Sequence, residues 1–365
     1  MPPFVVPTQP SGSPFPSPYV ISGVFRKWQL DPKQKSPIDD MFPDEALPTP
    51  SIVYDVIQPA FGVLDAGDMD ADPQESAHRG RSRLVIPPTY YTMLKSLKPS
   101  DVCNVTAAGS IDRLAAEQLA MDNMEDIGIA MTITQRMHKI GALLGGYTPT
   151  NRLGTIGAGA NPYSYSYPVT YAPQPSVPWT NTANATPITD VQNAAFGLDG
   201  KGLNPRVYYN RYQSNLLSQN LQIQTLIRNT IYSTDLDPGD GSISQTALGR
   251  ILEDFTGVQW ILLNDGYNVP ANDGTGNYTY QRFLPNNKVI VCVDPPYGQT
   301  MGTYALCPTI HAEGASFLNP RGGKFMVTID DSDDKINPRY SQLGGMNGAI
   351  KFVFCECSSP MLVVF

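Results

Sequence analysis

Three histidines, His78, His138 and His311, are the only side chains here whose ordinary pKa lies near neutrality. None has a carboxylate or thiol at a spacing used by acid–base or nucleophilic sites, so each reads as a structural or solvated imidazole. Five cysteines, Cys103, Cys292, Cys307, Cys355 and Cys357, form an odd set with no C-x-x-C pair. They read as reduced, buried thiols. Cys355 and Cys357 stand two apart in a strand expected over 351–357, which puts both on one face and suits neither a disulfide nor zinc. No G-x-S-x-G, P-loop or H-E-x-x-H occurs.

The acidic clusters offer no better chemistry. Asp235-Leu-Asp237-Pro-Gly-Asp240-Gly241 opens like a calcium loop, but the twelfth position is Thr246, where a bidentate Glu is required. A turn leading into a helix cap at Ser242 explains that run better. Asp330, Asp331, Asp333 and Asp334 read as a solvated acidic loop. Gly157-Ala-Gly159 follows no strand and opens no helix, so it is not a nucleotide site. No catalytic, metal or cofactor-binding residue is expected, and the chain is not expected to be an enzyme.

Composition points to a builder of structures. Charged residues make up 16% of the chain, against roughly 25% in typical soluble proteins. Interface cores exclude charge, so a surface short of charge fits one that faces other protein. The net charge of −8 argues against direct nucleic-acid binding, which needs clustered Lys and Arg. Apolar runs such as Val289–Val293 and Met361–Phe365 are too short to span a membrane, and Met1–Pro10 shows no signal-peptide pattern.

The elements follow from periodicity. Residues 1–50 hold 12 of the 34 prolines and read as an extended arm. Residues 66–83 have one large apolar side chain, Met69, and segregated charge: Asp68, Asp70 and Asp72, then Arg79, Arg81 and Arg83. Alternate spacing puts each trio on one strand face. A hairpin turning at 73–78 would pair Asp72 with Arg79, Asp70 with Arg81 and Asp68 with Arg83; a charged loop is the other reading. These six residues are the candidate assembly contacts. Residues 110–145 form the longest helical stretch, with Ser110 as N-cap and Gly145-Gly146 as stop. Residues 147–200 read as irregular, with Tyr163, Tyr165 and Tyr167 on one face of an extended segment. A helix over 209–232 follows, then a sharper one around Leu248, Ile251, Leu252 and Phe255. Strands are expected at 259–263, 288–293, 324–329 and 351–357. The pattern is α+β, without repeats or βαβ units.

Several segments in this order resemble the lambda-type major head proteins of tailed phages. Pro87-Pro88-Thr89-Tyr90 and Leu97-Lys98-Pro99-Ser100-Asp101 are similar to that family's junction between extended loop and long helix. Trp179 with Pro187-Ile188-Thr189-Asp190 resembles its Trp…Pro-x-x-Asp step. Asn204-Pro205-Arg206-Val207-Tyr208-Tyr209-Asn210 and Leu217–Asn220 resemble its helix entry and ending. The block 258–304, with Phe283-Leu284-Pro285-Asn286-Asn287-Lys288, resembles its axial domain, and 357–365 its closing strand.

The resemblance implies the Hong Kong 97-type capsid fold. It would comprise an N-terminal arm over 1–60, an extended β-hairpin loop over 61–95, a peripheral domain over 96–200 and 346–365 with the spine helix, and an axial domain over 201–345. It implies self-assembly into hexamers and pentamers of an icosahedral head enclosing double-stranded DNA, in virions assembled in the host cytoplasm. Scaffolding, decoration and portal proteins are the partners it suggests, with no cofactor, no membrane and no sequence-specific DNA contact. Because 36–94 contains no lysine, the lysine cross-link of some members is not expected. A phage decoration or tail protein and an encapsulin-like compartment shell are the alternatives.

Overall fold

The computed structural model describes residues 35–58, 80–97, 113–149, 164–229, 245–270, 278–309, 322–331 and 339–365. Helix α1, Arg113–Leu143, has 31 residues and spans about 46 Å at 1.5 Å per residue. Ala120, Met124, Ile127, Met131, Gln135, His138 and Ala142 recur at spacings of three and four and are all buried. That stripe is what holds so long a helix to the body. The helix stops where Gly145 and Gly146 take φ of +98° and +158°, and the Gly145 N–H closes the last turn on the Ala142 carbonyl.

Under α1 lies a five-stranded sheet of β1 (Asp44–Ala46), β4 (Thr89–Leu97), β12 (Gly302–Leu306), β13 (Phe325–Asp331) and β14 (Arg339–Phe352). The long β14 pairs with β12, β13 and β4, all antiparallel. Its Gly344 makes room for the helix: a Cβ there would sit 2.3 Å from Ile127 Cγ2. A second sheet runs in the order β15 (Ser358–Leu362), β11 (Lys288–Asp294), β7 (Leu203–Tyr209), β8 (Gln259–Leu262). Val289–Val293 are buried throughout, as a central strand covered on both faces requires. Helices α2 (Pro187–Phe196) and α5 (Gln245–Thr256) pack here, with α3 (Arg211–Ser218) and α4 (Leu221–Arg228) beside them. One buried apolar cluster draws residues from both sheets.

Three small pairings complete the framework. β2 (Ile52–Ile57) and β3 (Arg81–Ile86) form an antiparallel hairpin base. β5 (Gly146–Tyr147) pairs with β6 (Tyr165–Ser166), and β9 (Gly266–Pro270) with β10 (Tyr278–Arg282).

Several expectations change. The helix over 209–232 is two helices, because Asn220 starts a new one: its side chain accepts from Ile223 N–H and donates to the Thr182 and Ala185 carbonyls. The segment 147–200 contains α2, whose buried Ile188, Val191 and Ala194 have helical spacing. The strand over 351–357 ends at Phe352. A single 3₁₀ turn, Cys355–Cys357, carries the chain from the first sheet to the second, and β15 begins at Ser358. Tyr165 and Tyr167 are both buried around Tyr147; Tyr163 lies outside the described residues. Sheet membership also cuts across the expected domain limits. β12 and β13, within 201–345, join the sheet beneath α1, whereas β15, within 346–365, joins the sheet of β7, β8 and β11.

Candidate functional site

His138 sits in the last two turns of α1 and is fully buried. Its Nε2 lies 3.1 Å from the Tyr91 hydroxyl and its Nδ1 3.1 Å from that of Tyr304. The Tyr147 ring stacks on it at 4.4 Å. Burial pushes its pKa down to about 3, so it stays neutral. A neutral imidazole clamped between hydroxyls, with no open face for a substrate, is a structural group. His78 and His311 lie outside the described residues, as do Cys103, the 235–241 turn and Gly157–Gly159.

Cys292, Cys307, Cys355 and Cys357 are free and buried. Burial raises all four thiols, Cys355 and Cys357 to about 12, the reverse of what a reactive cysteine needs. Among the described residues no three His, Cys, Asp or Glu side chains converge as metal ligands. No described helix is long and apolar enough to cross a membrane.

The geometry is richer in surfaces. In the β2–β3 base, Ile52, Tyr54, Val56 and Ile86 face the core. The opposite face carries the cross-strand pairs Val53–Val85, Asp55–Arg83 and Ile57–Arg81. Val53 is 48% exposed and Val85 64%, and Arg83 Nε lies 3.6 Å from Asp55 Oδ1. Of the six charged loop residues expected from sequence, only Arg81 and Arg83 are placed; Asp68, Asp70, Asp72 and Arg79 lie outside the described residues. The register sets Arg83 opposite Asp55 and Arg81 opposite Ile57, not opposite Asp68 and Asp70 as the expected hairpin had it; Asp55 was missed, although Ile52–Ile57 alternates as an amphipathic strand does. A second surface lies on the first half of α1, where Asp122, Glu125 and Asp126 project into solvent at helical spacing. Lys95 pairs with Asp126.

The segments that carried the family resemblance turn out to be joints. Asn210 caps α3 reciprocally with Gln213, and its Nδ2 donates to the Leu284 carbonyl and Asn286 Oδ1, each at 3.1 Å. Gln213 donates to the Asn286 and Lys288 carbonyls. The Asn-Pro…Asn run and the Phe-Leu-Pro-Asn-Asn-Lys run are therefore two halves of one buried hydrogen-bond node. Trp179 Nε1 donates to Asp190 Oδ2 at 3.0 Å in the first turn of α2. Burial raises the Asp190 carboxyl, against the hydrogen bonds from Trp179 and Thr186. Tyr165 Oη donates to the Pro87 carbonyl at 2.7 Å, fixing the hairpin-to-β4 corner.

The family model for phage major capsid protein E matches residues 25–309. The chain belongs to the phage major capsid protein E family. Its role is that of a major capsid protein, and its fold is the Hong Kong 97-type capsid fold. A protein assigned as the capsid protein of a prophage in E. coli CFT073 is similar over 95% of this chain and 98% of its own, at 12% identity and a TM-score of 0.57. A phage-related protein from Bordetella bronchiseptica RB50 is similar over 94% and 96%, at 10% identity and a TM-score of 0.52. No curated protein matches the chain by sequence. A capsid protein works through reversible contacts between copies rather than through reacting groups.

Proposed function

We propose that this chain assembles with copies of itself into hexamers and pentamers that close an icosahedral head around double-stranded DNA. The family match over 25–309 carries this reading. The net charge of −8 supports a shell that encloses DNA without gripping its phosphates. No reacting group is needed for this work, so the proposed role is non-enzymatic. Assembly in the host cytoplasm, with scaffolding, decoration and portal proteins as partners, completes the proposal. α1 with its five-stranded sheet would be the peripheral domain and the β15-β11-β7-β8 sheet with its helices the axial domain.

The proposed subunit contact is the outward face of β2–β3 on the acidic stripe of α1 in a second copy. The hairpin base is tied to the far end of that helix: Ile57 N–H donates to the Val353 carbonyl, and Ser358 Oγ to that of Leu143. Met124 to Leu143 is about 28 Å along α1, which favours contact between subunits over contact within one. Asp68, Asp70, Asp72 and Arg79 are proposed to extend this contact.

The test is expression alone and with the scaffolding protein, followed by sedimentation and negative-stain microscopy. Closed shells of uniform size are expected. Discrete trimers or fibres would favour a decoration or tail protein, and uniform monomers under every condition would sink the assembly reading.

A further inference from the structure

One turn of α1 is polar yet largely buried, and its polar side chains reach remote segments: Gln135, Arg136 and Lys139 the root of the arm, and His138 the strands β4 and β12. Residues 36–46, the root of the arm, lie against it. Asp39 accepts from Arg136 at 2.9 Å and from Lys139 at 3.1 Å. Lys139 is only 4% exposed. Burial alone would raise the Asp39 carboxyl, but Arg136, Lys139 and the Ser36 N–H hold it below its ordinary value. Gln135 Nε2 donates to Asp44 Oδ1 at 3.3 Å, and Lys324 pairs with the other oxygen at 3.0 Å. Asp44 lies on β1 opposite Tyr304 of β12, and Tyr304 is one of the two hydroxyl partners of His138. The other, Tyr91, is on β4, the strand that continues the β2–β3 hairpin through Pro87-Pro88.

We propose that the turn Gln135–Lys139 is a conformational lock that couples the seating of the arm root to the seating of β4, so that loosening either loosens the other. Lifting residues 36–46 away removes Asp39 and leaves Lys139 and Arg136 without a carboxylate. A buried cation cannot stay unpaired cheaply, so the turn must shift to hydrate it. His138 is on that same turn. A neutral imidazole donates at one nitrogen and accepts at the other, so its two tyrosines hold opposite roles and the ring cannot move without breaking both contacts. The lock thus joins two segments that lie 43 or more positions apart in sequence through one helical turn.

Hydrogen exchange on the full chain tests this, following peptides 36–46 and 89–97, with β11 as an internal control of the global fold. Asp39→Asn is expected to speed exchange in 36–46 and also in 89–97 by about tenfold or more, with β11 unchanged. The reciprocal variant Tyr91→Phe, which keeps the ring, is expected to speed exchange in 36–46. Loosening confined to the mutated side in Tyr91→Phe overturns the lock. If Asp39→Asn also exposes β11, the Tyr91→Phe result alone decides.

Discussion

At the scale of single residues, the chain places its polar side chains at joints. His138 illustrates the energetic consequence. Buried, it holds its pKa down at about 3, while the unfolded chain takes up that proton near 6.5. The unfolded state therefore binds more protons throughout that window. Stability should fall as pH drops from about 6.5 toward 3, by up to about 1.4 kcal/mol per pH unit, and be insensitive to this group above 7. Chemical denaturation at stepped pH checks it; His138→Gln should flatten that limb. Asp39 adds to acid sensitivity lower down: its contribution is full above the ordinary aspartate pKa and is lost as pH falls from there through its depressed value. Asn210 is the second test. Asn210→Ala removes the α3 cap and leaves the Leu284 carbonyl without its donor. A loss of about 2–4 kcal/mol is expected from denaturant titration. Asn210→Asp, which can still cap but cannot donate from Nδ2, should lose part of that.

At the scale of elements, α1 and β14 determine how closely the body packs. β14 has glycine at 344, where the helix passes, and the side chain of Ile127 fills the space. Gly344→Ala would force Ile127 or the helix to move, because Ile127 is branched at Cβ and stiff about χ1. Overpacking of this kind costs about 1–3 kcal/mol. Ile127→Ala alone should cost about 2–5 kcal/mol through its cavity. The double variant should cost less than the sum, since the added methyl enters space that the truncation opened. Thermal unfolding of the four proteins checks this, and costs that simply add would remove the Gly344–Ile127 contact from the account.

At the scale of the whole molecule, two exposed surfaces among the described residues carry opposite charge. The hairpin face bears Arg81 and Arg83 beside Val53 and Val85, and the first half of α1 bears Asp122, Glu125 and Asp126. If these meet between copies, Arg81→Glu with Arg83→Glu should reduce shell yield severalfold while leaving the melting temperature of the monomer within a few degrees. Adding Asp122→Lys and Glu125→Lys should restore assembly. Yield unchanged by the first pair would remove the contact from the assembly scheme. The same charge distribution predicts no tight, salt-dependent binding of subunits to duplex DNA, measurable by titration between 50 and 200 mM salt, a range over which a phosphate-gripping protein loses orders of magnitude in affinity.

Much of this was legible in one dimension because it is local. The spine helix shows in its apolar spacing and its double-glycine stop, α5 in Leu248, Ile251 and Leu252, and β11 in an unbroken apolar run. The order of short motifs is enough to imply the family. Local pattern misled where a side chain's partner was remote. The break at Asn220 depends on carbonyls at 182 and 185, and the end of β14 at Phe352 depends on the chain crossing to another sheet. The arm is the sharpest case. Its proline content says only that it will not fold alone, yet Ile38 and Phe42 are fully buried, Phe42 packs on Phe352, and Asp39 docks on α1. Sequence determined which segments are helix, strand or core-poor, since these rest on spacing within a few residues. Only the tertiary structure decided which core-poor segments are held by their own subunit, because that depends on charges and rings brought together from about 100 to 300 positions apart.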